Sequence, residues 1–325
     1  MQNILVTGGA GYIGSHTVRE LSAAGFCPVT IDNLSEGHRQ AVLEGDFVTG
    51  DLGDRSFLED VFQKYTFEGV IHFAGRCYVG ESMEDPLLYY RHNVANGLRL
   101  LDVMRRRGVK KFIFSSSCAT YGNPQSVPID EGHPQQPVSP YGESKYFLER
   151  ILRQCDRAYR LRSVSLRYFN ASGASLDGCL GESHHPETHL IPRVLQVAKG
   201  ELERIQVFGG DYPTRDGTCI RDYIHVVDLA AAHVRALQWL AKNERSEAFN
   251  LGTGQGGSVK EVVETARRLT GREIPLEIVP RRAGDPPELV ADARKVNEAL
   301  QWRPRYSDLA TILETAWKWE RNRLY

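Results

Sequence analysis

The chain has 325 residues, with 40 Lys and Arg against 41 Asp and Glu, so its formal net charge is −1 when the histidines are neutral. This balance excludes the strong positive field of a protein that binds nucleic acid or an anionic membrane, and ligands must be recognised locally. The length excludes a small disulfide-stapled scaffold and permits one large domain or two closely joined ones.

The sequence also bears on compartment and metal binding. No apolar run approaches the roughly 20 residues of a membrane helix, and the chain enters a strand-like run at once, without a charged leader or a cleavage site. We therefore expect a cytoplasmic protein. The cysteines show neither Cys-x-x-Cys pairs nor metal-ligand spacing with the histidines, so we expect reduced thiols and no metal site. They are Cys27, Cys77, Cys118, Cys155, Cys179 and Cys219.

Strand-like and helix-like runs alternate through the first half of the chain. This alternation predicts βαβ units with right-handed crossovers, and therefore an α/β fold with a Rossmann-type, doubly wound parallel sheet. The strand-like runs lie near 3–7, 28–32, 47–50, 69–73, 110–115 and 161–167, and the helix-like runs near 12–24, 54–64, 86–107 and 140–156.

The alternation ends near residue 170, in a segment rich in Gly and Pro, before further strand and helix pieces follow. We place a domain boundary near residue 175, although no flexible linker marks it and the chain can cross between the halves more than once. A dinucleotide-binding domain would span 1–175 and contain the catalytic residues. A smaller α/β substrate domain would span 176–325 and cap the ligand edge of the sheet.

The turn after the first strand carries a dinucleotide-binding pattern. In Thr7-Gly-Gly-Ala-Gly-Tyr-Ile-Gly14, the glycines follow a G-x-x-G-x-x-G spacing that permits a tight turn and lets backbone N–H groups reach a pyrophosphate. Asp32 ends the next strand, where a carboxylate accepts from a ribose 2′-hydroxyl and repels a 2′-phosphate, so NAD is favoured over NADP. The predicted cofactor contacts of this region are Gly8, Gly11, Tyr12, Ile13, Gly14, Asp32 and Asn33.

Two later strand ends are predicted to reach the same cofactor. Asp51 and Leu52 follow the third strand and would neighbour the adenine, although a strand-end or helix-capping role explains Asp51 equally well. Phe73, Ala74 and Gly75 follow the fourth strand, where a glycine permits close approach of the backbone to the cofactor.

Tyr141 and Lys145 are four residues apart on a predicted helix, so the phenol and the ammonium share one face. A phenol needs its pKa lowered by about three units, roughly 4 kcal/mol, to act as a base at neutral pH. A cation about 5 Å away contributes roughly 3 kcal/mol at an effective dielectric of 20. The charge of Lys145 alone therefore falls just short of lowering the pKa enough, whereas Lys145 and an oxidised nicotinamide together suffice. Ser117 ends an apolar strand at the ligand edge, where its hydroxyl can hydrogen-bond the same substrate oxygen.

Taken together, the motifs of this chain resemble the extended short-chain dehydrogenase/reductase family almost from end to end. Their order most closely resembles the members that invert C4 of UDP-hexoses. The resemblance implies interconversion of UDP-glucose and UDP-galactose through a 4-keto intermediate, with tightly held NAD that returns the hydride to the opposite face. The motifs are Thr7-Gly-Gly-Ala-Gly-Tyr-Ile-Gly14, Phe114-Ser-Ser-Ser117, Tyr141-x-x-x-Lys145, Leu166-Arg-Tyr-Phe-Asn170, Asp216-Gly-Thr218, Arg221-Asp-Tyr-Ile-His-Val226 and Arg282-x-Gly-Asp285.

Residue by residue, the resemblance implies three groups of site residues. The matched catalytic trio is Ser117, Tyr141 and Lys145. The further matched cofactor positions are Asn93, Tyr141, Lys145, Tyr168 and Phe169. The matched UDP-sugar positions are Ser117, Tyr141, Asn170, His189, Leu190, Arg221, Tyr223, Arg282 and Asp285.

Two positions depart from the best-known bacterial members of the family. Cys77 stands where they carry Lys, and His189 stands where they carry Asn. The two arginines matched to the diphosphate, Arg221 and Arg282, lie in loop-like contexts, and their planar donors suit phosphate oxygens.

Three other functions share this fold and cofactor. A sugar-nucleotide 4,6-dehydratase needs an acidic pair after the strand that here ends at Ser117, and Cys118-Ala-Thr120 offers no carboxylate. A 4-epimerase for UDP-N-acetylhexosamines or UDP-pentoses stays open, because Leu289 at the gate position is neither bulky nor small. A NAD-sensing protein without catalysis would have lost part of the trio, which is intact.

The helix-like runs near 86–107 and 140–156 carry apolar residues that can bury against the sheet or against a second copy of the chain. The resemblance implies a homodimer through a four-helix contact, with no nucleic acid or membrane partner. These apolar residues are Leu98, Leu101, Val103, Phe147, Leu148, Ile151 and Leu152.

Overall fold

The computed structural model describes residues 2–282 and 284–325. Its strands are β1 (Asn3–Thr7), β2 (Cys27–Asp32), β3 (Asp46–Thr49), β4 (Phe67–His72), β5 (Lys111–Ser117), β6 (Arg162–Tyr168), β7 (Asn170–Ser172), β8 (Ile205–Phe208), β9 (Ile220–His225), β10 (Glu247–Leu251), β11 (Gly256–Ser258), β12 (Leu276–Val279) and β13 (Glu288–Leu289). Its α-helices are α1 (Tyr12–Ala23), α2 (Arg55–Lys64), α3 (Val79–Glu84), α4 (Pro86–Tyr89), α5 (Asn96–Arg107), α6 (Pro140–Tyr159), α7 (Leu190–Lys199), α8 (Val226–Asn243), α9 (Val259–Thr270), α10 (Arg294–Leu300) and α11 (Leu309–Arg321). A π-helical turn, Tyr90–Ala95, joins α4 to α5.

Seven strands form one parallel sheet in the order β10-β6-β5-β4-β1-β2-β3. The order reverses between β1 and β4, so their carboxyl ends open a crevice at the point where ligands bind in folds of this type. This sheet confirms the predicted α/β class and doubly wound topology.

The sheet is buried on both faces, as the continuous apolar runs of its strands predict. On one face α1 packs against α8, and the core there includes Ile4, Val18 and Leu237. On the other face lies the core beneath α2, α5 and α6, which includes Leu58 and Leu100. None of the helices in the described residues combines the length and apolarity needed to cross a membrane.

The second half of the chain contributes to both parts of the molecule. Strand β10 and helix α8 lie beyond residue 175 but join the seven-stranded sheet and its helical layer. Strands β7, β9, β11 and β13 form a second small sheet, and β8 pairs with β12. Helices α7, α9 and α11 enclose a third core. The division into two domains near residue 175 stays a prediction.

Helix α6 carries Tyr141 and Lys145, and the local sequence determines where it begins. Ser139 is its N-cap, with Oγ accepting a 3.2 Å hydrogen bond from the backbone N–H of Gly142, and Pro140 fits the first turn because it lacks an N–H. Both side chains therefore leave the first two turns of α6, close to the carboxyl end of β5.

Candidate active site

The glycine-rich turn has no room for side chains at Gly8 or Gly14, because the backbone packs too closely there. Gly8 has a φ of +71°, and a Cβ on it would lie 2.6 Å from the backbone nitrogen of Ala74. A Cβ on Gly14 would lie 2.2 Å from the carbonyl oxygen of Gly8. Gly11 begins α1 without any side-chain cap, and no acidic residue stands in the first turn. The N–H groups and dipole of this helix end therefore favour an anion.

Asp32 lies at the carboxyl end of β2, beside this turn. Its carboxylate is 9% exposed and accepts hydrogen bonds from the backbone N–H groups of Ala10, at 3.0 Å, and Leu34, at 2.8 Å. Burial raises the pKa of this carboxyl, and the two N–H donors lower it in part. These contacts fix the carboxylate at the sheet edge where a ribose is expected.

Asn33 and Asp51 form a second polar contact at this edge. Asn33 Nδ2 donates to Asp51 Oδ2 at 2.6 Å, and the backbone N–H of Gly53 donates to Asp51 Oδ1 at 2.6 Å. The carboxylate of Asp51 therefore holds the turn after β3, which is the local role weighed against adenine contact. Its neighbour Leu52 is buried in the core beneath α2 and α5.

Tyr12 and Ile13, also in the cofactor turn, point their side chains into protein contacts. The Tyr12 hydroxyl donates to the carbonyl oxygen of Gly173 at 2.6 Å, which ties α1 to the segment after β7. Ile13 packs against the core between α1 and the sheet. Because both side chains contact the protein, only the backbone groups of these two residues are available to contact a cofactor.

The segment after β4 approaches the glycine turn through its backbone. The N–H groups of Phe73 and Ala74 donate to the carbonyl oxygen of Thr7, at 2.9 and 3.0 Å. A Cβ on Gly75 would lie 2.9 Å from Asn93 Oδ1, so only glycine leaves Asn93 in place.

Asn93 connects this segment to α6. Its Oδ1 accepts from the backbone N–H of Arg76 at 2.8 Å, and its Nδ2 donates to Ser144 Oγ at 3.0 Å. The side chain is almost fully buried. Asn93 therefore positions the backbone after β4 against the helix that carries Tyr141 and Lys145.

The predicted catalytic side chains converge where β5 ends. Ser117, Tyr141 and Lys145 are 7%, 9% and 6% exposed. Lys145 Nζ donates to the carbonyl oxygen of Ser115 at 2.9 Å and lies 5.8 Å from the centroid of the Tyr141 ring. Ser117 Oγ accepts from the backbone N–H of Ala119 at 3.1 Å, which leaves its proton free to donate to another oxygen.

Electrostatics in this group are dominated by burial. Burial raises the pKa of Tyr141 well above its usual range, with Tyr168 and Cys77 adding to the effect and a hydrogen bond with Ser117 opposing it. Burial also lowers the pKa of Lys145 to about 8. The spacing in the sequence predicted a lowering of the Tyr141 pKa by the charge of Lys145, whereas the loss of hydration acts in the opposite direction. In the protein without a cofactor, burial therefore favours the protonated form of Tyr141.

The three residues from the end of β6 to the start of β7 make different contacts. The Tyr168 hydroxyl and Ser115 Oγ share a hydrogen bond. Phe169 packs in a small core with Tyr121, close to Cys118 and Leu289. Asn170 lies opposite Tyr223 in the β7–β9 pair, and its Nδ2 donates to the carbonyl oxygen of Asp222 at 3.2 Å.

Three of the predicted substrate residues come together at the loop before β13. Asp285 lies 3.6 Å from Arg221 and 3.9 Å from Arg282. Arg221 lies on strand β9 and not in a loop, so the loop-like context predicted for it was wrong, and it also donates to the carbonyl oxygen of Pro286 at 3.0 Å. Arg282 stacks over the ring of Phe208, at 4.0 Å from its centroid, and its side chain is 59% exposed. The arrangement presents two guanidinium groups around one carboxylate.

The remaining predicted substrate residues lie at the start of α7 and on β9. Leu190 begins α7, and Tyr223 is buried in the core that α7 shares with α9 and α11. His189 is the N-cap residue of α7, and its Nδ1 faces Glu182 at 2.9 Å and Glu187 at 3.1 Å. His189 is therefore part of an acidic and imidazole cluster, which leaves its Nε2 for any ligand.

Sequence analysis missed two features near these residues. The carboxylate of Asp222 orders the neighbouring loops by accepting from the backbone N–H groups of Thr253, Gly254 and Ala291. A cluster of Glu182, His184, Glu187 and His189 forms before α7. Its signal in the sequence is the spacing Glu-x-His-x-x-Glu-x-His, which a search based on cysteines does not find.

Comparison with known proteins places these features in a family. Residues 4–252 match the model of the NAD dependent epimerase/dehydratase family. The UDP-glucose 4-epimerase of Lacticaseibacillus casei is 51% identical over 320 residues, which are 98% of this chain and 97% of that protein. The crystal structure of UDP-glucose 4-epimerase from Brucella ovis in complex with NAD is 54% identical, with a TM-score of 0.95 over 98% of each chain. The structure from Bifidobacterium longum in complex with NAD+ and UDP is 40% identical, with a TM-score of 0.93 over 99% of each chain.

Proposed function

The chain belongs to the NAD-dependent epimerase/dehydratase family, and from that membership we propose that it interconverts UDP-galactose and UDP-glucose by inverting C4 of the sugar. NAD is the cofactor. One observation carries the proposal: Tyr141, Lys145 and Ser117 are buried together at the carboxyl end of β5. An acid–base group, a cation and a hydroxyl donor thus stand at the ligand edge of a dinucleotide-binding sheet.

The residues present fit NAD. The turn from Gly8 to Gly14 excludes side chains, the N-terminus of α1 is open to a pyrophosphate, and Asp32 supplies the carboxylate for an unphosphorylated ribose. Gly75 leaves the backbone after β4 free of a side chain. When bound there, NAD would supply hydride acceptance from sugar C4 and hydride return to it, so the reaction would have no net redox change.

The chain's own residues move the proton and hold the sugar. With the charges of Lys145 and of an oxidised nicotinamide favouring its phenolate, Tyr141 takes the proton of the C4 hydroxyl and returns it in the second half of the reaction. Lys145, fixed by the carbonyl oxygen of Ser115, favours the phenolate by its charge. Ser117 donates to the C4 oxygen as it becomes a carbonyl.

Arg221 and Arg282 are the proposed diphosphate ligands. Asp285 lies within ion-pair distance of both guanidinium groups, and Arg221 also donates a hydrogen bond to the carbonyl oxygen of Pro286. Planar N–H donors of this kind suit phosphate oxygens, whose charge would strengthen the hydrogen bonds. Anchoring the substrate through its diphosphate leaves the sugar free to turn its opposite face.

The structure of this edge bears on two alternative substrate classes and on one alternative reaction. Leu289 lies opposite Arg221 in the β9–β13 pair and packs near Phe169. A half-buried leucine there leaves UDP-N-acetylhexosamines and UDP-pentoses as the second candidates. Dehydration is disfavoured because Cys118, Ala119 and Thr120, which follow β5, carry no carboxylate.

Product analysis tests the proposal. Purified protein is incubated with UDP-galactose without added NAD, and sugar nucleotides are separated by anion-exchange chromatography. We expect a mixture of UDP-galactose and UDP-glucose. A 4-keto-6-deoxy product would indicate a dehydratase instead, and unchanged substrate a NAD-sensing protein. Parallel incubations with UDP-N-acetylgalactosamine and a UDP-pentose rank the substrates.

A homodimer is part of the proposal. Leu101, Val103, Leu148 and Leu152 are buried beside the sheet, whereas Leu87 and Leu98 are 68% and 46% exposed. Apolar side chains on neighbouring helices α4 and α5 suit a contact with a second copy. Light scattering should give about twice the mass of one chain, and Leu98→Glu should give monomers, whereas Leu269→Glu on α9 should not. A monomeric wild type would exclude the dimer.

We also propose a cytoplasmic location, which the spacing of the cysteines supports. Fractionation of the source cells should recover the protein with cytoplasmic markers. Recovery with the membrane or the medium would contradict this location.

A further inference from the structure

The segment before α7 gathers four groups with the chemistry of metal ligands. They are Glu182, His184, Glu187 and His189, which we call the quartet. One ligand atom from each lies within 4.8 Å of the others. Glu182, His184 and Glu187 are not among the residues assigned to NAD or the UDP-sugar above.

The quartet is largely removed from solvent and incompletely hydrogen-bonded. The side chains of Glu182, His184 and Glu187 are 8%, 11% and 4% exposed, and that of His189 is 44% exposed. Among the described residues, Glu187 Oε2 and His184 Nδ1 are buried without a hydrogen bond and face each other at 3.5 Å. This separation is too long for a good hydrogen bond, and a cation bound between the two atoms would satisfy both.

Four imidazole-to-carboxylate separations are close to those of ligands around one small ion, with His184 and His189 facing different oxygens of Glu187. His184 Nδ1 lies 3.3 Å from Glu182 Oε1 and 3.5 Å from Glu187 Oε2. His189 Nδ1 lies 2.9 Å from Glu182 Oε1 and 3.1 Å from Glu187 Oε1. With zinc–ligand bonds of about 2.0 to 2.1 Å, the ligands of a tetrahedral site are separated by about 3.3 Å.

We propose that the quartet binds one zinc ion with two imidazole and two carboxylate ligands. Imidazole nitrogens favour zinc and other late transition metals over Mg²⁺ or Ca²⁺, which prefer sites made of oxygen alone. The spacing of the cysteines predicted no metal site, and the quartet contains no cysteine.

Four protein ligands close the coordination sphere, so the ion is structural and does not activate water. It fixes the segment that leads into α7, which carries His189 and Leu190, two residues that the resemblance matches to the UDP-sugar site. The surrounding contacts already restrain this segment. Trp319 Nε1 donates to the carbonyl oxygen of Glu182 at 2.9 Å, and the ring of Tyr78 meets that of His184 edge-on.

Metal content and cobalt spectroscopy test the proposal. Protein expressed without a polyhistidine tag is analysed for metals, then stripped with a chelator and reloaded with Zn²⁺ or Co²⁺. We expect about one zinc per chain and the intense visible bands of tetrahedral cobalt. Glu187→Gln should weaken zinc binding at least tenfold, whereas Glu273→Gln, at an exposed loop position, should not. Zinc should raise the melting temperature of the stripped wild type and not that of Glu187→Gln.

The rival arrangement is a set of ion pairs between protonated imidazoles and carboxylates. Absence of tightly bound zinc with no cobalt bands in folded wild type would overturn the proposal, as would equal zinc affinity in the wild type and Glu187→Gln. If Glu187→Gln does not fold, His184→Gln takes its place. Circular dichroism and retention of NAD identify folded protein. Because metal content is measured apart from turnover, failure here does not bear on the proposed epimerisation.

Discussion

Lys145 lies one helical turn from Tyr141, with its Nζ 5.8 Å from the centroid of the Tyr141 ring and anchored on the carbonyl oxygen of Ser115. This placement puts a cation beside a phenol that burial otherwise keeps protonated. The pair therefore depends on charge in the site to shift the phenol toward the phenolate, which is the form that accepts a proton from the substrate.

Replacing Tyr141 with phenylalanine should abolish most turnover and preserve the cofactor site. The substitution removes the hydroxyl that exchanges the proton and keeps the buried ring, so we expect kcat to fall by about 10³-fold. NAD retained by the purified protein and the binding of UDP should stay close to wild type. Turnover assays with UDP-galactose and titration with UDP measure both. Turnover near the wild-type rate would remove Tyr141 from the role of base.

Gly14→Ala should prevent NAD from being retained. The added Cβ would lie 2.2 Å from the carbonyl oxygen of Gly8, so the turn that receives the pyrophosphate must move. We expect NAD affinity to fall at least tenfold, about 1.4 kcal/mol, measured by titration of the stripped protein. Gly80→Ala is the matched control, because a Cβ there meets no atom of the described residues within 4 Å. Equal losses in both variants would contradict this explanation.

Arg221→Lys should weaken substrate binding while leaving the fold intact. Lysine keeps the charge but loses the planar donors that approach Asp285 and the carbonyl oxygen of Pro286. We expect KM for UDP-galactose and the inhibition constant of UDP to rise about tenfold. Arg204→Lys, at an exposed position, should change neither. Unchanged UDP inhibition in Arg221→Lys would show that Arg221 does not contact the diphosphate.

The protein should lose stability as the pH falls below about 6.5, because several histidines are buried in the neutral form. Burial lowers the pKa of His16, His225 and His233 to about 4 and that of His72 to about 3. Between these values and the unfolded value near 6.5, the unfolded chain binds more protons, so the free energy of unfolding rises with pH across this window and falls on acidification.

His233→Leu tests this dependence at one position. A shift from 6.5 to about 4 corresponds to about 3 kcal/mol, so the variant should lose less stability than the wild type between pH 6.5 and pH 4. Urea unfolding at several pH values measures the difference. Parallel pH profiles for the two proteins would show that His233 does not contribute.

The cofactor turn and the Tyr141–Lys145 pair were predictable because their physics is local. Glycine spacing between a strand and a helix selects one turn, and a four-residue interval on a helix places two side chains on one face. The neighbouring residues that shift the pKa of Tyr141 were harder to predict from the sequence. The burial that raises the pKa of Tyr141 comes from elements distant in sequence, including Tyr168 on β6.

The sequence by itself determined the alternation of strands and helices, the doubly wound class and the residues of the glycine turn, since periodicity and turn chemistry depend on near neighbours in the chain. Only the tertiary structure decided that β10 completes the first sheet, that Asp285 meets Arg221, and that two glutamates and two histidines converge before α7. These contacts depend on how the elements pack, and long-range packing is set by the whole core and not by any local pattern.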